Sequence, residues 1–184
     1  MKKLPFNIGD VLSIKLRDDL YTLAQISLPS YVTFFDISSA DGKWKNVDLN
    51  NTAVLFCIIV ATTRIKPLVD AKLSSDAVRP STKPMGRLFI NAGLNFAGGG
   101  HPFRGGNLIE VDERGETTQR PIIKRSLSVE NDADVIRQYE LTNMWNDPEE
   151  LRRRLLRYFD TGINWDPHKE KVFPGITPPV AAVR

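Results

Sequence analysis

The chain of 184 residues has one cysteine, Cys57, and two histidines, His101 and His168. A single cysteine excludes an internal disulfide and any zinc cluster built on cysteines. Cys57 lies within VLFCIIV, where a thiol packs as a small apolar group and desolvation disfavours its reactive thiolate. Both histidines stand next to a proline, and no spacing motif joins them to a carboxylate such as Asp112 or Asp166. No nucleophile elbow of the G-x-S-x-G kind is present. Neither a G-K-[ST] ending nor a G-x-G-x-x-G run leading into a helix occurs, so no nucleotide or cofactor fingerprint applies. The longest apolar run, residues 53–61, falls far short of the roughly 20 residues a membrane helix needs. Met1-Lys2-Lys3 makes a basic start, but Pro5, Asn7, Gly9 and Asp10 interrupt what would be the apolar part of a secretion signal. The expected location is the cytoplasm, and the expected cofactor is none.

What is present is an ordinary globular composition, 41% hydrophobic and 26% charged, which is enough for one well-buried core. The length does not require two domains, and the organisation reads as a single domain with a β unit at 1–62, mixed strands and loops at 63–130, and a helical region with an irregular tail at 131–184. The net charge of +3 arises mostly from a surplus of lysine and arginine between residues 63 and 130. A basic face of that kind can meet nucleic acid or an acidic protein, although dedicated nucleic-acid binders cluster their charge more densely.

Residues 6–60 carry the clearest pattern. In 11–16, Leu12, Ile14 and Leu16 alternate with Val11, Ser13 and Lys15, so the first set should face a core. Arg17-Asp18-Asp19 suits a hairpin loop, the returning strand covers 20–27, and Pro29 ends it because proline cannot donate to a ladder. Residues 31–37 are β-branched and aromatic and read as a third strand. Turns at Asp41-Gly42 and Asn50-Asn51 precede a run at 53–61 apolar enough to be a central strand buried on both faces. Four strands in so short a span predict a curled antiparallel sheet or a partly open, SH3-like barrel.

The middle is less regular. Residues 68–78 fit a strand or a short helix equally, Pro80 and Pro84 bracket a polar loop, 86–90 reads as a strand, and 108–111 with 121–124 suggests a late hairpin. A helix is expected over 132–141 with Val135, Ile136 and Tyr139 inward. Asn146-Asp147-Pro148-Glu149-Glu150 signals the start of another, with Leu151, Leu155, Tyr158 and Phe159 on one face and Gly162 at its end. Glu149 and Glu150 precede Arg153 and Arg154 by four residues, which places their pairing within the helix. The tail from Asp166, with four prolines, reads as irregular. The fold class is therefore α+β: an N-terminal antiparallel β unit, additional strands and a C-terminal helix.

Interface anchors favour tryptophan, tyrosine and arginine, which directs attention to exposed aromatics. Trp44 follows a turn among lysines, and His101, Phe103 and Arg104 sit in the glycine-rich stretch GGGHPFRGG. These four residues are the candidates for partner contact. Trp145 and Trp165 flank the last helix, where packing is the expected role.

Phe6, Ile8-Gly9-Asp10-Val11, the alternating strand to Leu16, Tyr21 and Ala24-Gln25-Ile26 resemble the opening of the immunity protein 26 family of bacterial polymorphic toxin systems. Phe34-Phe35-Asp36-Ile37 is similar to that family's third strand, and Val54-Leu55-Phe56 to its later apolar strand. The resemblance covers about a third of the chain. It implies a cytoplasmic, non-enzymatic protein that binds and neutralises a cognate protein toxin, with no catalytic residues. The alternative from composition is a nucleic-acid-binding β-barrel that uses the basic middle segment.

Overall fold

A computed structural model describes residues 6–92, 105–118 and 120–180. In chain order the strands are β1 (Val11–Arg17), β2 (Leu20–Leu28), β3 (Tyr31–Ser39), β4 (Val47–Asp48), β5 (Val54–Val60), β6 (Val69–Leu73), β7 (Val78–Arg79), β8 (Leu88–Asn91), β9 (Gly106–Glu110), β10 (Ile122–Leu127) and β11 (Met144–Trp145). The α-helices are α1 (Thr62–Ile65), α2 (Val129–Gln138), α3 (Pro148–Thr161) and α4 (His168–Val172). The protein is α+β: a curled, half-barrel sheet, with further strands and helices. Two compact units divide it: residues up to 86 with 144–156, and residues 87–143 with those from 157 on.

The first unit is the curled sheet, ordered β11-β5-β3-β2-β1-β6. All pairs are antiparallel except β11 with β5, which is parallel. Asp18 and Asp19 make the two-residue turn between β1 and β2. β2 ends at Leu28, and Ser30 takes a left-handed φ of 64° to reverse the chain after Pro29. Leu12, Ile14, Ala24, Ile26, Val32, Phe34, Phe56 and Ile58 are buried, and the strand register sets Leu12 beside Ala24, and Ala24 and Phe56 on either side of Phe34.

The opposite face departs from expectation. The alternation in β1 placed Val11 and Ser13 outward, yet they are 2% and 0% exposed. Residues 41–51 and β7 fold back over them, and Val11, Tyr21, Leu23 and Phe35 pack with Trp44, Leu49 and Val78. The sheet is thus covered on both faces, and apolar residues follow one another without alternation. β5 is buried from Phe56 to Val60 as expected, but Val54 is 52% exposed beyond a register shift at Phe34/Phe35. Of the two readings open for residues 68–78, the strand is realised, as β6.

The second unit holds an antiparallel sheet ordered β10-β9-β8, which includes the expected late hairpin. Helix α2 begins three residues before the expected start because Ser128 caps it, its Oγ accepting from Asn131 N at 3.3 Å. Asp132 Oδ2 accepts from Ser128 N in return at 2.9 Å, so each end of the cap satisfies the other. The tail is not irregular throughout. It forms α4, and Val172, Phe173 and Ile176 pack with Trp165, Ile90, Ile136 and Leu141. Buried Lys169 donates to the Arg137 carbonyl in the last turn of α2 at 3.1 Å, where a cation meets the negative end of the helix dipole.

Helix α3 follows its start signal, with Asp147 Oδ1 accepting from Glu149 N at 2.9 Å. Leu151, Leu155 and Tyr158 are buried, Phe159 is half-buried, and Gly162 follows with φ 76°. Glu149 takes Arg152 as its partner in place of the expected Arg153. Arg152 pairs with Glu149 at 3.3 Å and Arg153 with Asp147 at 3.8 Å. Arg154 is buried, its guanidinium 3.9 Å above the Phe56 ring and 5.5 Å from Trp145.

Candidate partner groove

On the second face of the curled sheet, a row of cross-strand neighbours runs Cys57, Thr33, Gln25 across β5, β3 and β2. Residues 81–86 pass over this row without regular structure and leave a small groove enclosing about 40 Å³. Ser27, Thr33, Phe35 and Cys57 form its floor, exposed Val54 one lip, and Lys83, Pro84 and Met85 the other.

The overlying strap is tied down at one end. Gln25 exchanges two hydrogen bonds with the Ser81 backbone, 3.0 Å and 2.8 Å long. Asn50 donates to Pro80 O and accepts from Thr82 N and Thr82 Oγ1 at 3.2, 2.9 and 3.0 Å. Asn50 is itself set by Asp48, whose Oδ1 accepts from the Asn50 side chain at 2.8 Å and its backbone N at 2.9 Å. These bonds, then Arg79 and Lys83, hold the Asp48 carboxyl below the usual carboxylate range. From Lys83 to Gly86 the strap makes one short-range bond, Lys83 N to Ser81 Oγ at 3.2 Å.

A second groove, of about 270 Å³, opens beside Lys15, Arg17, Pro67, Asp70 and Arg152. Its cations are spent locally: Lys15 on Asp18 and Arg17 on Asp19, each at 2.9 Å, and Arg152 on Glu149. That arrangement leaves little unmatched charge for a ligand.

Of the four sequence candidates, Trp44 is 8% exposed, and its indole N–H donates to Ser13 Oγ at 3.0 Å. It lies on the same sheet face as the groove and packs with Phe35, which the groove shares. His101, Phe103 and Arg104 lie outside the described residues. His168 pairs with Asp166: its Nδ1 lies 2.9 Å from Asp166 Oδ1, which also accepts from His168 N at 2.9 Å. The contact spans two residues and opens α4, so it reads as a local turn and cap. Among the described residues no three His, Cys, Asp or Glu side chains group to hold a metal ion.

The groove residues were beyond the sequence reading because they come together from positions 25, 33, 57 and 81–86. The only local signal was the polar loop bracketed by Pro80 and Pro84. Chemically the described lining offers hydroxyls, apolar wall and one ammonium, with no acid–base pair among the described residues.

Fold and site together define an α+β protein with a curled sheet roofed by a strap, and no described helix is long and apolar enough to cross a membrane. Residues 1–178 match the family model described as "Domain of unknown function (DUF8309)", and the chain belongs to that family. No curated protein and no solved structure matches it.

Proposed function

We propose that this protein is a non-enzymatic protein-binding module, specifically a cytoplasmic immunity protein that neutralises a cognate bacterial toxin by direct contact. The observation that carries the proposal is the groove under residues 81–86, whose described lining can bind and holds no side-chain pair suited to proton transfer or nucleophilic attack. Its floor and one lip come from the strands on which the likeness to immunity protein 26 rests, through Gln25, Phe35 and Val54. Exposed Val54 at a lip supplies the apolar contact an interface core uses. The nucleic-acid alternative has less support. Arg79, Arg87, Arg120 and Lys124 of the basic middle each pair with a carboxylate, namely Asp48, Glu110, Asp112 and Asp132.

The test is co-expression with the product of the toxin gene adjacent to the one encoding this chain, followed by calorimetry of the purified pair. Restored growth and a stable complex are expected. Continued toxicity together with absence of heat of binding would sink the assignment. Steeply salt-dependent binding to DNA or RNA instead would favour the alternative.

A further inference from the structure

The groove has polar chemistry that its apolar walls do not require. Ser27 Oγ and Thr33 Oγ1 lie 2.7 Å apart, and either can donate to the other. Two hydroxyls carry two protons, and one bond uses only one of them. The second proton has no other partner among the described residues, although Thr33 is only 6% exposed. The unspent proton sits on buried Thr33 or on half-buried Ser27, and either way it favours an incoming acceptor.

Among the described residues Lys83 is the only charged one in the lining, and no carboxylate lies within ion-pair distance of its ammonium. The nearby strap and β7 carry Arg79 and Lys83 against one carboxylate, Asp48, whose Oδ1 already accepts from Asn50. The local charge is therefore positive, and an acidic group entering the groove meets no carboxylate among the described lining residues. Phe35, Val54 and Met85 supply apolar surface beside these donors. A glutamate matches that pairing, with a methylene stem for the walls and a carboxylate for the donors.

We infer that the groove binds an extended, glutamate-bearing segment of a protein partner, its carboxylate accepting from the Ser27–Thr33 hydroxyl pair and facing Lys83. The enclosed volume, about 40 Å³, suits a carboxylate head, with the stem and flanking backbone left along the open mouth of the groove. This deepens the toxin-binding reading and rests on it for the partner's biological identity, but the recognition chemistry is testable without a toxin.

The experiment is an amide NMR titration of the isotope-labelled full chain with three probes: the blocked peptide Ala-Val-Glu-Val-Ala, its glutamine twin, and sodium acetate. Saturable shifts are expected at Ser27, Thr33, Val54 and Lys83 with the glutamate peptide. The glutamine twin should bind about fivefold more weakly or worse, as loss of a charge-assisted contact implies. Lys83→Gln and Thr33→Val should each weaken the glutamate peptide by a similar factor. Lys83 is exposed, so its variant keeps the fold even if Thr33→Val does not. Equal affinity for the two peptides, shifts clustered away from the groove, acetate binding as tightly as peptide, or no saturation would each overturn the inference. Peptide binding without toxin protection would remove the toxin assignment and leave the groove chemistry standing. Protection without peptide binding would do the reverse.

Discussion

Gln25 grips Ser81 at both ends of its side-chain amide: Nε2 donates to Ser81 O at 3.0 Å, and Oε1 accepts from Ser81 N at 2.8 Å. A side chain 8% exposed thereby supplies the hydrogen bonds that a neighbouring strand would have given. The strap gains an anchor without joining the sheet, and the space beneath residues 83–86 stays open.

Replacing Gln25 by leucine should therefore loosen the strap more than the sheet. Ser81 loses both backbone partners, at a cost of about 1–3 kcal/mol if they stay buried and less if the strap swings into water. Hydrogen exchange at Ser81 and Thr82 should accelerate while exchange along β2 and β3 is unchanged. Gln25→Glu keeps the acceptor for Ser81 N and should fall between. Uniform acceleration across the sheet would show that Gln25 supports the core instead.

Gly42 allows the segment carrying Trp44 to turn back over the sheet. Its φ is 68°, and a Cβ there would sit 2.9 Å from Cδ1 of buried Tyr21. Gly9 provides the control, with φ 90° and nothing within 4 Å of the same hypothetical atom. Gly9→Ala should cost about 1–2 kcal/mol, the left-handed penalty alone. Gly42→Ala adds displacement of the ring, for a total of about 2–4 kcal/mol. Urea midpoints at constant slope measure both, and equal losses would show that the Tyr21 ring moves aside freely.

The curled sheet was legible in the sequence because its signals are local: Asp18-Asp19 between two apolar runs, Pro29, and a β-branched third strand. The cover on its second face was not legible. Trp44, Leu49 and Val78 come from stretches without a period, so no pattern announces that Val11 and Ser13 are buried. Helix α4 is five residues long and follows a proline, too short for a periodic signature. The groove arises only when strands distant in sequence are set side by side, and register is fixed by pairing rather than by any single segment.

The Asp132 carboxylate should make the second unit's stability depend on acid pH. Its side chain pairs with Lys124, and Oδ2 accepts from Ser128 N at 2.9 Å. The Lys124 hydrogen bond first, and the Ser128 N–H second, hold its pKa below the usual 3.8. A lowered folded-state pKa stabilises above the unfolded value and is lost as pH falls through the folded one. Wild-type stability should decline as pH drops below 3.8. Asp41, Asp48 and Asp112 are lowered too and add to that decline. Asp132→Asn should be less stable than wild type near neutrality and should converge on it in acid. A gap that stays constant as pH falls from neutrality into acid would mean that the Asp132 charge contributes nothing.

Arg154 tests whether a buried cation can serve as a flat packing element. It is 3% exposed, its guanidinium 3.9 Å above the Phe56 ring and 5.5 Å from Trp145. A guanidinium stacks on aromatic faces and sheds water more easily than an ammonium does. Lysine would keep the charge and most of the stem but lose the plane, so Arg154→Lys should cost about 1–2 kcal/mol. Arg154→Ala also loses the stem packing between the helix and the sheet and should cost more. Trp145 is 1% exposed and close enough to report on the change, so its fluorescence should shift in both variants. If lysine matched arginine in urea midpoint and in emission, stacking would contribute nothing here, and charge alone would explain why an arginine is buried at this position.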